Sequence, residues 1–214
     1  MSIIVANGLT QWFGSEVALE SIDLAIDAGE HIAVLGENGA GKTTLLRILA
    51  TAARPTSGKL QIMGLDALRE RKRLRARIGF VAHAPGLYPA LSVTENLEFF
   101  CTLQGVRKTK VPETLALVGL SQVPKRPAGE LSRGMQQRLA IGRAILHDPK
   151  LLVLDEPDAS LGSDGADLLA TLMRGRTVVL ATHDHALANR LCQRTLVLRH
   201  GRSVGTPTRL HLVQ

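Results

Sequence analysis

Aromatic residues are scarce: one Trp, one Tyr and four Phe make up 3% of the 214-residue chain. So few rings offer no platform on which successive nucleic-acid bases could stack, and no nucleic-acid partner is expected. Cysteine is nearly absent. Cys101 and Cys192 are isolated, which excludes a disulfide framework, argues against a zinc site and suits a reducing compartment. Long apolar runs are missing too. Stretches such as Leu151–Leu154 fall far short of the roughly 20 residues that span a bilayer. The N-terminal MSIIVANGLTQ has no basic segment followed by an apolar core, so no secretory signal is visible. A cytoplasmic location is the expectation.

What is present suits a globular chain: 45% hydrophobic and 21% charged residues. The length allows a single domain, 1–214. The net charge is +7, and part of it lies in RERKRLRAR (Arg69–Arg77), six bases with one acid. That run reads as the solvated face of a short linker helix. Contact with nucleic acid or with anionic lipid headgroups is the alternative.

Four short apolar runs predict buried parallel strands: His31–Gly36, Ile78–His83, Leu151–Glu156 and Thr177–His183. They are nearly continuous rather than alternating, as when both faces of a sheet are covered. Helical patterns lie between them, over Lys42–Ala53, Ser132–Leu146 and Ala166–Met173. The alternation predicts an α/β core with a mainly parallel sheet. Val17–Asp27 alternates apolar and polar residues, which predicts a half-exposed antiparallel strand in an N-terminal β subdomain. Arg194–Gly205 predicts a hairpin turning at His200–Gly201. Between Ala84 and Asp148 the strand signal vanishes, so this segment is expected to be a mostly helical insert.

Three segments carry chemistry. GENGAGKTT (Gly36–Thr44) is a glycine, four residues, then Gly-Lys-Thr, after a predicted strand and at the start of a predicted helix. Such a loop turns backbone N–H groups toward phosphate oxygens, and the helix N-terminus adds partial positive charge. Gly36, Glu37, Asn38, Gly39, Ala40, Gly41, Lys42, Thr43 and Thr44 are therefore candidate nucleotide-binding residues. Lys42 supplies a charge toward the β- and γ-phosphates, and the Thr43 hydroxyl suits Mg²⁺. The G-x-G-x-x-G spacing of a dinucleotide loop is absent. In LLVLDEP (Leu151–Pro157) two acids end an apolar strand. Asp155 suits the Mg²⁺ shell, and Glu156 suits polarising a water in line with the γ-phosphate. ELSRGMQQRLAIGRAIL (Glu130–Leu146) reads by itself as an amphipathic helix capped by Ser132, with Gly134 leaving backbone N–H groups accessible.

Together, in this order and spacing, these motifs resemble the ATP-binding-cassette (ABC) ATPases over nearly the whole chain. LSRGMQQR looks like that family's signature, usually written LSGGQ. The resemblance implies a P-loop NTPase core and a helical subdomain (roughly 84–148) carrying the signature. It implies ATP and Mg²⁺ as ligands, and a head-to-tail dimer, expected to be a homodimer. Ser132 and Gly134 would then bind the partner's nucleotide. Phe13 in QWFG matches the aromatic that stacks on adenine, with Trp12 as the fallback, and His183 in ATHD matches the histidine at the γ-phosphate. Integral membrane subunits are the implied partners, which puts the chain on the inner face of the cell membrane.

Two departures stand out. Gly162 occupies the usual aspartate position of the D-loop, with Asp164 two residues on as a possible substitute. His83 stands where the family usually has glutamine, a residue that touches Mg²⁺ or the attacking water. A neutral imidazole can accept from water or ligate a metal. A protonated one can do neither, so activity is expected to fall at acid pH and His83→Gln to flatten that limb.

The segment AHAPGLYPALSVTENLEFF (Ala82–Phe100) looks like the ATP-binding subunit of the bacterial haem exporter of cytochrome c maturation. The shortness of the chain, which ends 31 residues after His183, fits that resemblance. The alternatives are an ABC subunit for another cargo, a soluble single-cassette ATPase of the iron–sulfur assembly type, and a cassette that binds ATP without hydrolysing it. Intact Lys42, Asp155, Glu156 and His183 argue against the last.

Overall fold

The computed structural model describes residues 1–158 and 160–209. In chain order the elements are β1 (Ser2–Phe13), β2 (Glu16–Asp27), β3 (His31–Leu35), α1 (Lys42–Leu49), β4 (Ser57–Ile62), β5 (Leu65–Asp66), α2 (Arg71–Arg75) and β6 (Ile78–Val81). Then follow α3 (Val93–Gln104), α4 (Val111–Leu117), α5 (Arg133–Ile145), β7 (Leu151–Asp155), α6 (Gly165–Met173), β8 (Thr177–Ala181), α7 (His185–Leu191), β9 (Arg194–Arg199) and β10 (Arg202–Arg209).

Two sheets form. The N-terminal one is antiparallel, in the order β2-β1-β4-β5, and the central one runs β10-β9-β3-β8-β7-β6. Strands β9, β3, β8, β7 and β6 are parallel, and β10 pairs antiparallel with β9. Every residue of β7 and β8 is buried. Leu152 and Leu154 face the layer that holds α3 to α7, while Leu151 and Val153 face α1 and the N-terminal sheet. Both faces are covered, which is why these strands read as unbroken apolar runs. At roughly 25 cal/mol per Å² of apolar surface removed from water, the two layers supply the main driving force for this architecture.

The predicted strands are present, but several ends differ. β6 stops at Val81, its last pair with β7, so His83 lies beyond the strand rather than at its tip. β8 stops at Ala181, leaving Thr182 and His183 in the following loop. α1 ends at Leu49 rather than Ala53, because Thr51 takes a left-handed conformation (φ 57°) and Pro55 follows. The Thr51 carbonyl accepts from Arg71 (Nη2, 2.7 Å) and Arg75 (Nη2, 3.0 Å). The basic run therefore does form a short helix, α2, and spends two of its cations on the end of α1.

β2 pairs with β1 along nearly its whole length. β1, β4 and β5 are strands beyond those that the sequence predicts. In β1 the pairing shifts register between Ala6 and Leu9, around Gly8 (φ 59°), which breaks the two-residue periodicity. The terminal hairpin turns as expected, with His200 and Gly201 both left-handed (φ 46° and 75°), the geometry of the tight turn that matches strand twist. This turn also braces the loop after β3, since Gly201 N–H donates to the Ala40 carbonyl at 3.2 Å.

Candidate active site

The loop from Gly36 to Gly41 joins the end of β3 to α1. Gly41 has φ 101°, and a Cβ there would lie 2.5 Å from the Ala18 carbonyl oxygen. Only glycine lets the loop pass this close to β2 and still enter the helix. Lys42, 6% exposed, folds over the loop and donates from Nζ to the carbonyls of Gly36 (2.7 Å) and Glu37 (3.0 Å). An open cavity of about 510 Å³ is lined by Phe13, Glu16, Ala18, Glu37, Asn38, Gly39, Gly41, Lys42, Thr43, Thr44, His83 and Glu156. Of the predicted loop residues, Gly36 and Ala40 lie off this cavity and border smaller ones on the other side of the loop. Phe13 is exposed on the cavity wall, while Trp12 is exposed but does not line it.

Asp155 ends β7 and is 1% exposed. Its Oδ1 accepts from the Thr43 hydroxyl at 3.2 Å, and its Oδ2 is buried with no hydrogen-bond partner. Burial pushes the Asp155 carboxyl above its usual range; the Thr43 bond opposes this, and the neighbouring Glu156 charge adds to it. An orphaned carboxylate oxygen beside a threonine hydroxyl fits a divalent cation, which would relieve that penalty. Among the described residues no group of three His, Cys, Asp or Glu side chains is placed to hold a metal. A cation here would take few protein ligands and fill its shell from phosphate and water, as Mg²⁺ does.

Glu156 is the focus of the charged groups. Its backbone is left-handed (φ 48°), a conformation that costs a non-glycine residue about 1–3 kcal/mol. It is held there by the N–H bond to the Ala181 carbonyl at 2.9 Å. Lys42 Nζ lies 4.0 Å from Glu156 Oε1, His183 Nδ1 lies 3.8 Å from Oε1, and His83 Nδ1 lies 3.5 Å from Oε2. Three residues from separate segments of the chain thus meet at one carboxylate. His83, expected beside Mg²⁺ or the attacking water, lines the cavity and neighbours the candidate base Glu156.

Ser132 and Gly134 do not line the large cavity of their own chain. Ser132 caps α5, accepting from Met135 N–H at 3.3 Å. Gly134 has a packing role that its sequence context did not suggest: a Cβ there would collide with the Ser160 carbonyl oxygen. In the D-loop, Gly162 is left-handed (φ 77°). Asp164, two residues on, is exposed but paired within its own chain. Its two oxygens accept from Arg138 Nη2 of α5 at 2.7 and 2.6 Å. Arg138 closes the LSRGMQQR segment, but its pairing with Asp164, like that of Asp158 with Thr182, joins separate segments that spacing within a motif does not mark.

Residues 19–159 match the family described as ABC transporter. The chain is 38% identical over 221 residues to a lipoprotein-releasing system ATP-binding protein, LolD 1, of Caulobacter vibrioides, covering 94% of each chain. It is 36% identical over 192 residues to the bacitracin transport ATP-binding protein BcrA of Bacillus licheniformis, covering 87% of this chain and 63% of that one. Among solved structures, a dimeric ATP-binding cassette in a post-hydrolysis state, bound to ADP and phosphate, superposes with a TM-score of 0.89 at 29% identity. That match covers 97% of this chain and 99% of the other. The chain belongs to the ABC transporter family and is an ATP-binding subunit with the ABC ATPase fold.

Proposed function

We propose that the chain hydrolyses ATP at the Lys42–Glu156 site as the motor subunit of a transporter, working as a head-to-tail homodimer. The observation that carries this is the meeting of Lys42, His83 and His183 around the Glu156 carboxylate, with Asp155 and Thr43 alongside. In this reading the 36–44 loop cradles the phosphates and Phe13 stacks on adenine. Thr43 and Asp155 would hold Mg²⁺, which would neutralise developing phosphate charge. Glu156 polarises the attacking water, His183 contacts the γ-phosphate, and His83 stands where a glutamine is usual. Ser132 and Gly134 face the partner's nucleotide, so both sites require closure of the dimer. The γ-phosphate supplies the difference in affinity between open and closed forms.

The His83 role has its own test. The His83→Ala enzyme should lose kcat at an unchanged KM for ATP, while His83→Gln, which restores a polar side chain beside Glu156, should keep it. Equal kcat in parent and His83→Ala would return His83 to a loop residue of no catalytic consequence.

The groove bounded by β6, α3 and α5 suits an integral membrane partner, which would place the chain on the cytoplasmic face of the membrane. About 300 Å³ in volume, it is lined by Ala50, Ala52, Ile78, Phe80, Phe100 and Ala144, with Arg75, Gln104, Arg143 and His147 among them. Arg143 lies 5.0 Å over the Phe100 ring and donates to the Gly86 carbonyl at 2.7 Å. It therefore ties the groove wall to the loop that carries His83. The Arg143→Met subunit should retain the ATPase rate of the isolated chain within a few-fold, yet lose stimulation by its membrane partner. Full stimulation would remove Arg143 from the coupling route.

For the cargo, the Ala82–Phe100 segment favours haem export in cytochrome c biogenesis, whereas similar proteins are named for bacitracin, lipoprotein and Nod factor transport. Cells deleted for this chain should then lack holo-cytochrome c, with restoration by the parent gene and not by Glu156→Gln. Normal holo-cytochrome c in the deletion would move the assignment to another exported substrate.

A further inference from the structure

We propose that Asp158 is a positioning residue for His183, an inference that rests on the role given to His183 above. β7 and β8 are parallel neighbours with Asp155 opposite Ala181. The residues just past both strand ends therefore emerge side by side. From the β7 side, Asp158 Oδ2 accepts the Thr182 hydroxyl at 3.2 Å. The same Thr182 Oγ1 accepts the Asp184 N–H at 3.0 Å. Asp184 in turn caps α7, its Oδ1 accepting from Ala186 N–H at 2.8 Å and Leu187 N–H at 3.1 Å. His183 is thus held between two anchored residues, and its Nδ1 faces Glu156, two residues before Asp158. Two contacts, Asp158 with Thr182 and His183 with Glu156, thus join the same two short segments, 156–158 and 182–183.

The fold gains little from this carboxylate. Its Oδ1 is buried without a hydrogen-bond partner, and burial holds the Asp158 carboxyl above its usual range, with the His183 charge acting in the opposite sense. A group whose folded-state value is raised in this way costs stability once it ionises above the ordinary carboxylate range. Buried groups kept against stability are characteristic of functional sites. Thr182 is fully buried, so its hydroxyl has no water with which to replace Asp158 as a partner. Loss of the carboxylate would remove the side-chain link between this loop and the end of β7, and small displacements of reacting groups are costly in rate.

A double-mutant cycle tests this on the purified chain. Asp158→Ala, which leaves the Thr182 hydroxyl no acceptor, should lower kcat about tenfold or more and leave the KM for ATP within twofold, whereas Asp158→Asn, whose amide oxygen can still accept that bond, should keep most of the rate. In a His183→Ala background Asp158→Ala should have no further effect on the residual rate. Losses that multiply in the double mutant, or full kcat in Asp158→Ala, would overturn the proposal. If His183→Ala alone keeps full turnover, it is the reading of His183 that fails, and Asp158 with it. Should Asp158→Ala not fold, the cycle between Thr182→Val and His183→Ala gives the same decision.

Discussion

Replacing Glu156 by Gln is expected to leave ATP binding intact and to reduce turnover by about 10²–10⁴-fold, the usual worth of a positioned general base. The substitution keeps shape and the left-handed backbone, so the N–H bond to Ala181 should survive. It removes the one negative group toward which Lys42, His83 and His183 converge. Without hydrolysis the γ-phosphate stays in place, and with it the affinity difference that favours the closed form. The variant should therefore run as a dimer on size exclusion in ATP and as the parent does without nucleotide. Steady-state ATPase and light scattering measure both halves of this expectation. Parental turnover in the Glu156→Gln enzyme would falsify the assignment of Glu156 as the base.

The second large effect is expected at Lys42. Its ammonium is nearly buried and held over the loop by two carbonyls, so the charge is poised with little ordering left to do when phosphates arrive. Charge-assisted hydrogen bonds contribute about 1.5–3 kcal/mol. Lys42→Ala should therefore weaken ATP binding by at least about 10–100-fold, measured by titration calorimetry in the presence of Mg²⁺. The contrast with Glu156→Gln is informative: one variant loses binding and the other loses only turnover. An unchanged Kd for ATP in Lys42→Ala would place the nucleotide elsewhere.

Much of the site is local in sequence. The Gly36–Thr44 loop, the Asp155–Glu156 pair and the Ser132 cap are each written within nine residues or fewer. Their geometry follows from local rules: a positive φ that needs glycine, an apolar run that ends in acids, a hydroxyl that satisfies helix N–H groups. What could not be read is the pairing of distant segments. β1 was hidden because a register shift at Gly8 breaks its alternation, and β4 because only Leu60 and Ile62 of its six residues are buried. Strand signals of this kind arise from cross-strand neighbours rather than from backbone preference.

The same division separates the chemistry. Spacing along the chain determined the phosphate loop, the acids at the strand end and the parallel core that presents them, because each depends on contacts a few residues apart. It also singled out His83 as unusual. Only the folded arrangement decided that His83 turns to Glu156, that Arg138 claims Asp164, and that Asp158 anchors the loop bearing His183. Those contacts join residues up to 73 positions apart, as in His83 and Glu156. Their partners are set by which strands are adjacent and where each one stops, and strand order is a property of the whole core.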